Sequence, residues 1–112
     1  NRGLSSLTIS DKLSKAADVR AVELVDKFSH ERPNGTKPWT AADEAGYKYS
    51  TIAENIAAGY SSPQEVVDGW MNSDGHRKNI LNSRFTQIGV GCFEKADSEY
   101  RIHWVQLFGT PN

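Results

Sequence analysis

The hydrophobic period changes along this chain, from that of a helix near its start to that of a strand near its end, and this change limits what the chain can fold into. Between Asp11 and Phe28 the apolar residues Leu13, Ala16, Ala17, Ala21, Leu24, Val25 and Phe28 recur every three or four positions, the spacing of one helical face. Ser10 stands where an N-cap belongs, and Pro33 and Gly35 punctuate a loop over Glu31-Arg32-Pro33-Asn34-Gly35. Later, Ile88, Val90 and Cys92 alternate with Gly89, Gly91 and Phe93, and Tyr100, Ile102, Trp104, Gln106 and Phe108 form a second period-two series. The polar stretch Lys95 to Glu99 joins them, so a hairpin of two long antiparallel strands is expected.

Three shorter signals lie between. Thr40, the acids Asp43 and Glu44, and Gly46 give the cap, first turn and end of a short helix. Tyr47 to Tyr60 mixes β-branched, aromatic and alanine residues without a clean period and reads as an irregular, partly extended segment carrying Glu54-Asn55. Ser62-Pro63-Gln64-Glu65 starts a helix with a capping hydroxyl, Pro at its first position and an acid able to bond back to the cap. Val66, Val67, Trp70 and Met71 are its expected buried stripe. Ser73-Asp74-Gly75 breaks it, which leaves His76 on a constrained loop before a short helical turn over Arg77 to Leu81. Helices first and paired strands last imply an α+β fold, with helices packed on a small antiparallel sheet. A chain of 112 residues suits a single domain.

Charge and motifs narrow the function. Thirteen Lys and Arg residues are scattered among fourteen acids with no run of like sign, so nothing gathers polyanions and nucleic acid is not an expected partner. No stretch approaches the ~20 apolar residues of a membrane span, so no transmembrane segment is expected, and Asn1 to Leu7 lack the order of an export signal. Cys92 is the sole cysteine, which excludes an internal disulfide, and its apolar strand suggests an inert buried thiol. No HExxH, CxxC, phosphate-binding glycine loop or GxSxG occurs.

What remains is a set of titratable residues at structural breakpoints: His30 at a helix end, Glu54 in the irregular segment and His76 after a capped helix. Two neutral imidazoles and a carboxylate are a known zinc-ligand set that leaves a position open for water. Without metal the same groups can shuttle protons near neutrality. Each also has a structural reading: His30 against the carbonyl end of its helix, Glu54 as a buried acid holding loop amides, His76 as a loop brace. Asn55 suits a backbone-bonding turn, Ser73 a helix end and His103 a sheet surface, while Trp70, Trp104 and Phe108 have the spacing of core residues.

Four segments occur in one order: Phe28-Ser29-His30, Ala53-Glu54-Asn55-Ile56-Ala57-Ala58-Gly59, Trp70-Met71-Asn72-Ser73-Asp74-Gly75-His76-Arg77-Lys78-Asn79-Ile80-Leu81, and Ile88-Gly89-Val90-Gly91. Together with Trp104-Val105-Gln106-Leu107-Phe108-Gly109 they resemble the bacterial domains of the CAP superfamily, the cysteine-rich secretory and pathogenesis-related (SCP-like) proteins. The resemblance spans residues 1–112 as one domain, without the first helix usual in relatives, which suggests a shortened or processed domain. It implies an α-β-α sandwich with a cleft where His30, Glu54 and His76 converge, lined also by Asn55 and Ser73. Ser73 stands where many eukaryotic relatives have a second glutamate, three residues after the helix tryptophan, here Trp70. The implied protein is extracellular, a module binding a lipid, a cell-envelope component or a host protein. The alternatives are a zinc-dependent hydrolase, with His30 and His76 on the metal and Glu54 as ligand or base, and a structural or adhesion domain without an active cleft.

Overall fold

The computed structural model, which describes residues 7–82, 84–94 and 102–111, turns the change of period into one sheet with helices on both faces. In chain order the elements are β1 (Thr8–Ile9), α1 (Asp11–Asp26), α2 (Thr40–Glu44), β2 (Tyr49–Ala58), α3 (Pro63–Met71), α4 (Asp74–Ile80), β3 (Gln87–Glu94) and β4 (Ile102–Pro111). The strands lie in the order β1-β3-β4-β2. β4 pairs antiparallel with both β2 and β3, as a hairpin reading requires for the latter. The expected purely antiparallel sheet is corrected in one respect: β1 adds a parallel edge beside β3, a two-residue strand too short to show any period. The sequence expectations for Asn1 to Leu4, Lys95 to Glu99 and Tyr100 fall outside the described residues.

Alternation along β4 divides the core. Val105 and Leu107, with Ile56 of β2, pack against Leu13, Ala16, Ala17, Ala21 and Leu24 of α1 and Ala41 and Ala42 of α2. Trp104 and Ala57 face the other way, onto Val66 and Trp70 of α3. Gly89 and Gly91 in β3 form the seat of α1. A Cβ at Gly91 would fall on the backbone of Ala17 and Asp18, so only glycine lets the helix lie this close.

Several local expectations change. Tyr47 to Tyr60 is not irregular: most of it is the ten-residue β2, with a register shift between Tyr49 and Thr51. Glu54, Asn55, Ile56 and Ala57 are all buried, so a strand covered on both faces shows no alternation. α1 stops at Asp26, and Phe28 lies beyond it, about half exposed. In α3 Ser62 caps the Glu65 amide at 3.3 Å as expected, but Glu65 reaches back to Ser61, and Val67 is exposed. Cys92 is exposed, because the glycines of β3 take the side facing α1 and leave Val90 and Cys92 on the opposite side. His103 is 2% exposed, not on the sheet surface, since it shares the α1-facing phase of Val105 and Leu107. Trp70, Trp104 and Phe108 are core residues.

Candidate binding cleft

The apolar stripe of α1 contains one cation. Leu13, Ala16, Ala17, Ala21 and Leu24 are buried at helical spacing, and Arg20, 0% exposed, occupies the same face. A buried guanidinium requires a partner. Glu54 provides it: Nε donates to Oε2 at 2.7 Å and Nη2 to Oε1 at 3.0 Å. Nη2 also donates to the Ser29 carbonyl at 2.7 Å, and Nη1 to Glu23 Oε1 at 3.1 Å. Burial alone would lower the Arg20 pKa, but Glu54 and Glu23 outweigh it and raise it above the ordinary value.

His30 completes a chain of three. Its Nδ1 lies 2.9 Å from Glu54 Oε1. With the carboxylate as acceptor, Nδ1 is assigned the hydrogen, and Nε2, on a side chain 57% exposed, has no hydrogen-bond partner among the described residues. The Arg20 to Ser29 bond fixes the backbone beside it.

His76 is the third residue of α4, inside a helix and not on a loop. Its Nδ1 lies 2.9 Å from Ser73 Oγ, so the serine partners the ring instead of capping the helix. Burial, and then the neighbouring His30, push His76 below the usual histidine range. Asn55 is fully buried in mid-strand; it bonds backbone as expected, but it ties α4 to the sheet, with no turn. Its Nδ2 donates to the His76 carbonyl at 3.2 Å and to Gln106 Oε1 at 3.0 Å. Asn79 answers from α4, donating to Asn55 Oδ1 at 2.9 Å. Glu54 and His30 are thus in contact, and His76 is held within electrostatic reach of His30.

A zinc ion is tested against these donors. Among the described residues no group of three His, Cys, Asp or Glu side chains is placed to hold a metal. The Glu54 carboxylate is engaged by Arg20 and His30, so two imidazoles remain, one donor short of a catalytic zinc set.

The concave space beside the triad is a groove of about 520 Å³, within the usual range of ligand sites. His30, Glu31, Lys37, Pro38 and Trp39 form one wall, and Ile52, Ala53 and Glu54 of β2 the other. His76, Asn55 and Ser73 do not line it. Arg32 fixes the loop that carries the first wall: its guanidinium reaches Glu23 at 2.6 Å, Thr40 Oγ1 at 2.8 Å and Glu44 at 3.1 Å. Arg20, Lys37 and Trp39 escaped the sequence reading. An arginine on an apolar stripe and a tryptophan in a polar loop were the available signals.

The match to a known family covers nearly all of this architecture. The sequence model of the cysteine-rich secretory protein (CAP) family matches residues 1–108, and the chain belongs to that family. It is 44% identical to the Bacillus subtilis protein YkwD over 109 residues, which are 96% of this chain and 40% of that protein. An extracellular protein containing an SCP domain from Bacillus anthracis superposes with a TM-score of 0.84 at 30% identity, over 97% of this chain and 35% of that one. An outer surface protein of Borrelia burgdorferi gives 0.86 at 26% identity, over 99% and 82% respectively. The chain therefore spans well under half of the first two relatives. No described helix is long and apolar enough to cross a membrane.

Proposed function

We propose that this domain is an extracellular binding module whose groove engages a lipid, a cell-envelope component or a host protein without turning it over. The observation that carries this reading is the bidentate hydrogen bond from Arg20 to Glu54. A general base or nucleophile needs a lone pair free for the reacting atom. Glu54 instead has three of its roughly four lone-pair sites taken, two by a buried cation and one by the His30 ring, on a side chain only 3% exposed, and Ser73, not a second carboxylate, partners the His76 ring. The extracellular setting is supported by the descriptions of the Bacillus anthracis and Borrelia burgdorferi proteins. The test is a titration of isotope-labelled protein with lipid vesicles and with cell-wall fragments, beside assays on peptide and ester substrates. The expected result is amide shifts at His30 and Trp39 with no turnover. Hydrolysis that disappears in Glu54→Gln would overturn the reading.

One observation favours a second reading, a zinc-assisted hydrolase. Among the described residues the Nδ1 of each imidazole is hydrogen-bonded, to Glu54 and to Ser73, and neither Nε2 is, the pattern that outer hydrogen bonds give to metal-bound histidines. It requires zinc retained after loading at neutral pH and lost in both His30→Ala and His76→Ala; elemental analysis finding no metal on the wild type removes it.

A further inference from the structure

β2 is an edge strand, and its register shows which backbone groups are spare. The Gly59 amide bonds the Ile102 carbonyl at 2.9 Å, so in the pairing that continues from it Ala57, Asn55 and Ala53 point their N–H and C=O at β4. Ile52, Glu54 and Ile56 point theirs outward. The far half of this edge is closed by side chains: Trp70 Nε1 donates to the Ile56 carbonyl at 3.0 Å, and Asn79 Nδ2 to the Glu54 carbonyl at 3.4 Å. Both contacts confirm the outward phase. No such contact among the described residues meets the Ile52 N–H and C=O or the Glu54 N–H.

The open half coincides with the groove. Successive side chains of a strand leave on opposite faces, so a cavity lined by Ile52, Ala53 and Glu54 together runs along the strand's edge. Across from it stand Pro38 and Trp39, the latter 39% exposed, an apolar wall for one side chain. The charges of the groove are unevenly committed. Glu54 is paired with Arg20 and Glu31 with Lys27, whereas Lys37 lies over the Trp39 ring, 5.9 Å from its centroid. Lys37 also feels the Glu31 carboxylate through space but forms no salt bridge among the described residues, so the groove charge without a salt-bridge partner is positive.

We infer that the groove takes an extended peptide bearing a carboxylate, which adds as a strand to β2 at Ile52 and runs out where Asn79 closes the edge at Glu54. Main-chain bonds to the free edge supply affinity, as in other strand-addition modes, and Lys37 selects the acid. This rests on the binding-module reading and names its ligand class. Either a C-terminal carboxylate or an acidic side chain satisfies the chemistry.

The test is amide hydrogen exchange on the whole chain with three pools of acetylated hexapeptides: free acids, amides with an internal glutamate, and neutral amides. The expected result is that the Ile52 and Glu54 amides, fast-exchanging in the free protein, slow by ~10-fold or more with one or both acidic pools and remain fast with the neutral pool. Ile52→Pro, tolerated where the N–H faces outward on an edge strand, abolishes the slowing at the remaining Glu54 amide. The exposed Lys37→Glu variant, which leaves the core intact, weakens it. Exchange unchanged by every pool at millimolar concentration, or slowed equally by the neutral pool, overturns the inference. Vesicle or cell-wall binding at His30 in that same protein leaves the binding-module reading standing, while cleavage of a pool sinks that reading instead.

Discussion

Arg20 and Glu54 face each other from α1 and β2 through two parallel hydrogen bonds of 2.7 and 3.0 Å, with their side chains 0% and 3% exposed. Thirty-four residues apart in sequence, they fix the distance between helix and sheet and the orientation of the imidazole beside them. Removing one partner leaves the other charged and buried. Arg20→Met should therefore cost about 3–5 kcal/mol in urea unfolding. Glu54→Gln should cost less, because Glu23 and the Ser29 carbonyl still hold Arg20. The double variant should recover most of the loss, since no unpaired charge remains. A single Arg20→Met loss under about 1 kcal/mol would show that the pair does not organise the core.

Gly91 and Gly75 should respond oppositely to alanine. At Gly91 the added methyl meets the backbone of α1, which has no side chain to rotate away, so Gly91→Ala should destabilise by about 1–3 kcal/mol or more. Gly75 lies inside α4 with nothing within 4 Å of where a methyl would sit and no positive φ. Gly75→Ala should stabilise by about 0.5–1 kcal/mol through helix propensity. Thermal melts of the two variants moving in the same direction would contradict the close seating of α1 on β3.

These contacts show which parts of the molecule could be read beforehand. Ser10 and Ser62 cap their helices because a serine hydroxyl at that position accepts from the third residue on, a rule that acts within one turn. β4 kept its period-two signal in spite of burial on both faces, since Ile102, Trp104 and Phe108 share one phase. β2 lost that signal, because Glu54 and Asn55 are buried polar residues whose partners, Arg20 and Asn79, lie 34 and 24 residues away. The convergence of His30 and Glu54 came from ordered motifs, not from spacing. The groove was invisible for a related reason: Trp39 and Lys37 become a wall only because Arg32 folds their loop back onto α1 and α2.

Arg32 should accordingly control the groove more than the core. Arg32→Ala removes its contacts to Glu23, Thr40 and Glu44, and so releases the loop bearing Lys37 and Trp39. Burial alone would raise the Glu23 carboxyl; hydrogen bonds from Arg32 and Arg20 outweigh it and hold it low. That contribution is present above the unfolded carboxylate value of ~4.3 and is lost as pH falls through the lower folded one. The variant should flatten this acid limb of the stability profile and speed amide exchange in residues 32–39. An acid limb identical to wild type would mean that Arg32 does not hold Glu23.

Stability should also fall in a milder pH range, and the sign follows from two histidines. Burial pushes His103 below the usual histidine range although a backbone contact at Phe93 opposes it, and its Nδ1 has no hydrogen-bond partner among the described residues. His76 is lowered as well, by burial and by His30. In the unfolded chain each takes a proton near ~6.5, while the folded chain takes it only at lower pH. Their contribution is thus fully present above that value and is lost as pH drops below it, at up to ~1.4 kcal/mol per pH unit for each group while only the unfolded state is protonated. Urea midpoints at about pH 7.5 and about pH 5.5 should differ in this direction, where unfolded histidine changes charge. His103→Leu keeps the position apolar and should shrink the difference to the share of His76. An equal difference in wild type and His103→Leu would mean that His103 gains its proton as readily inside the fold as outside it.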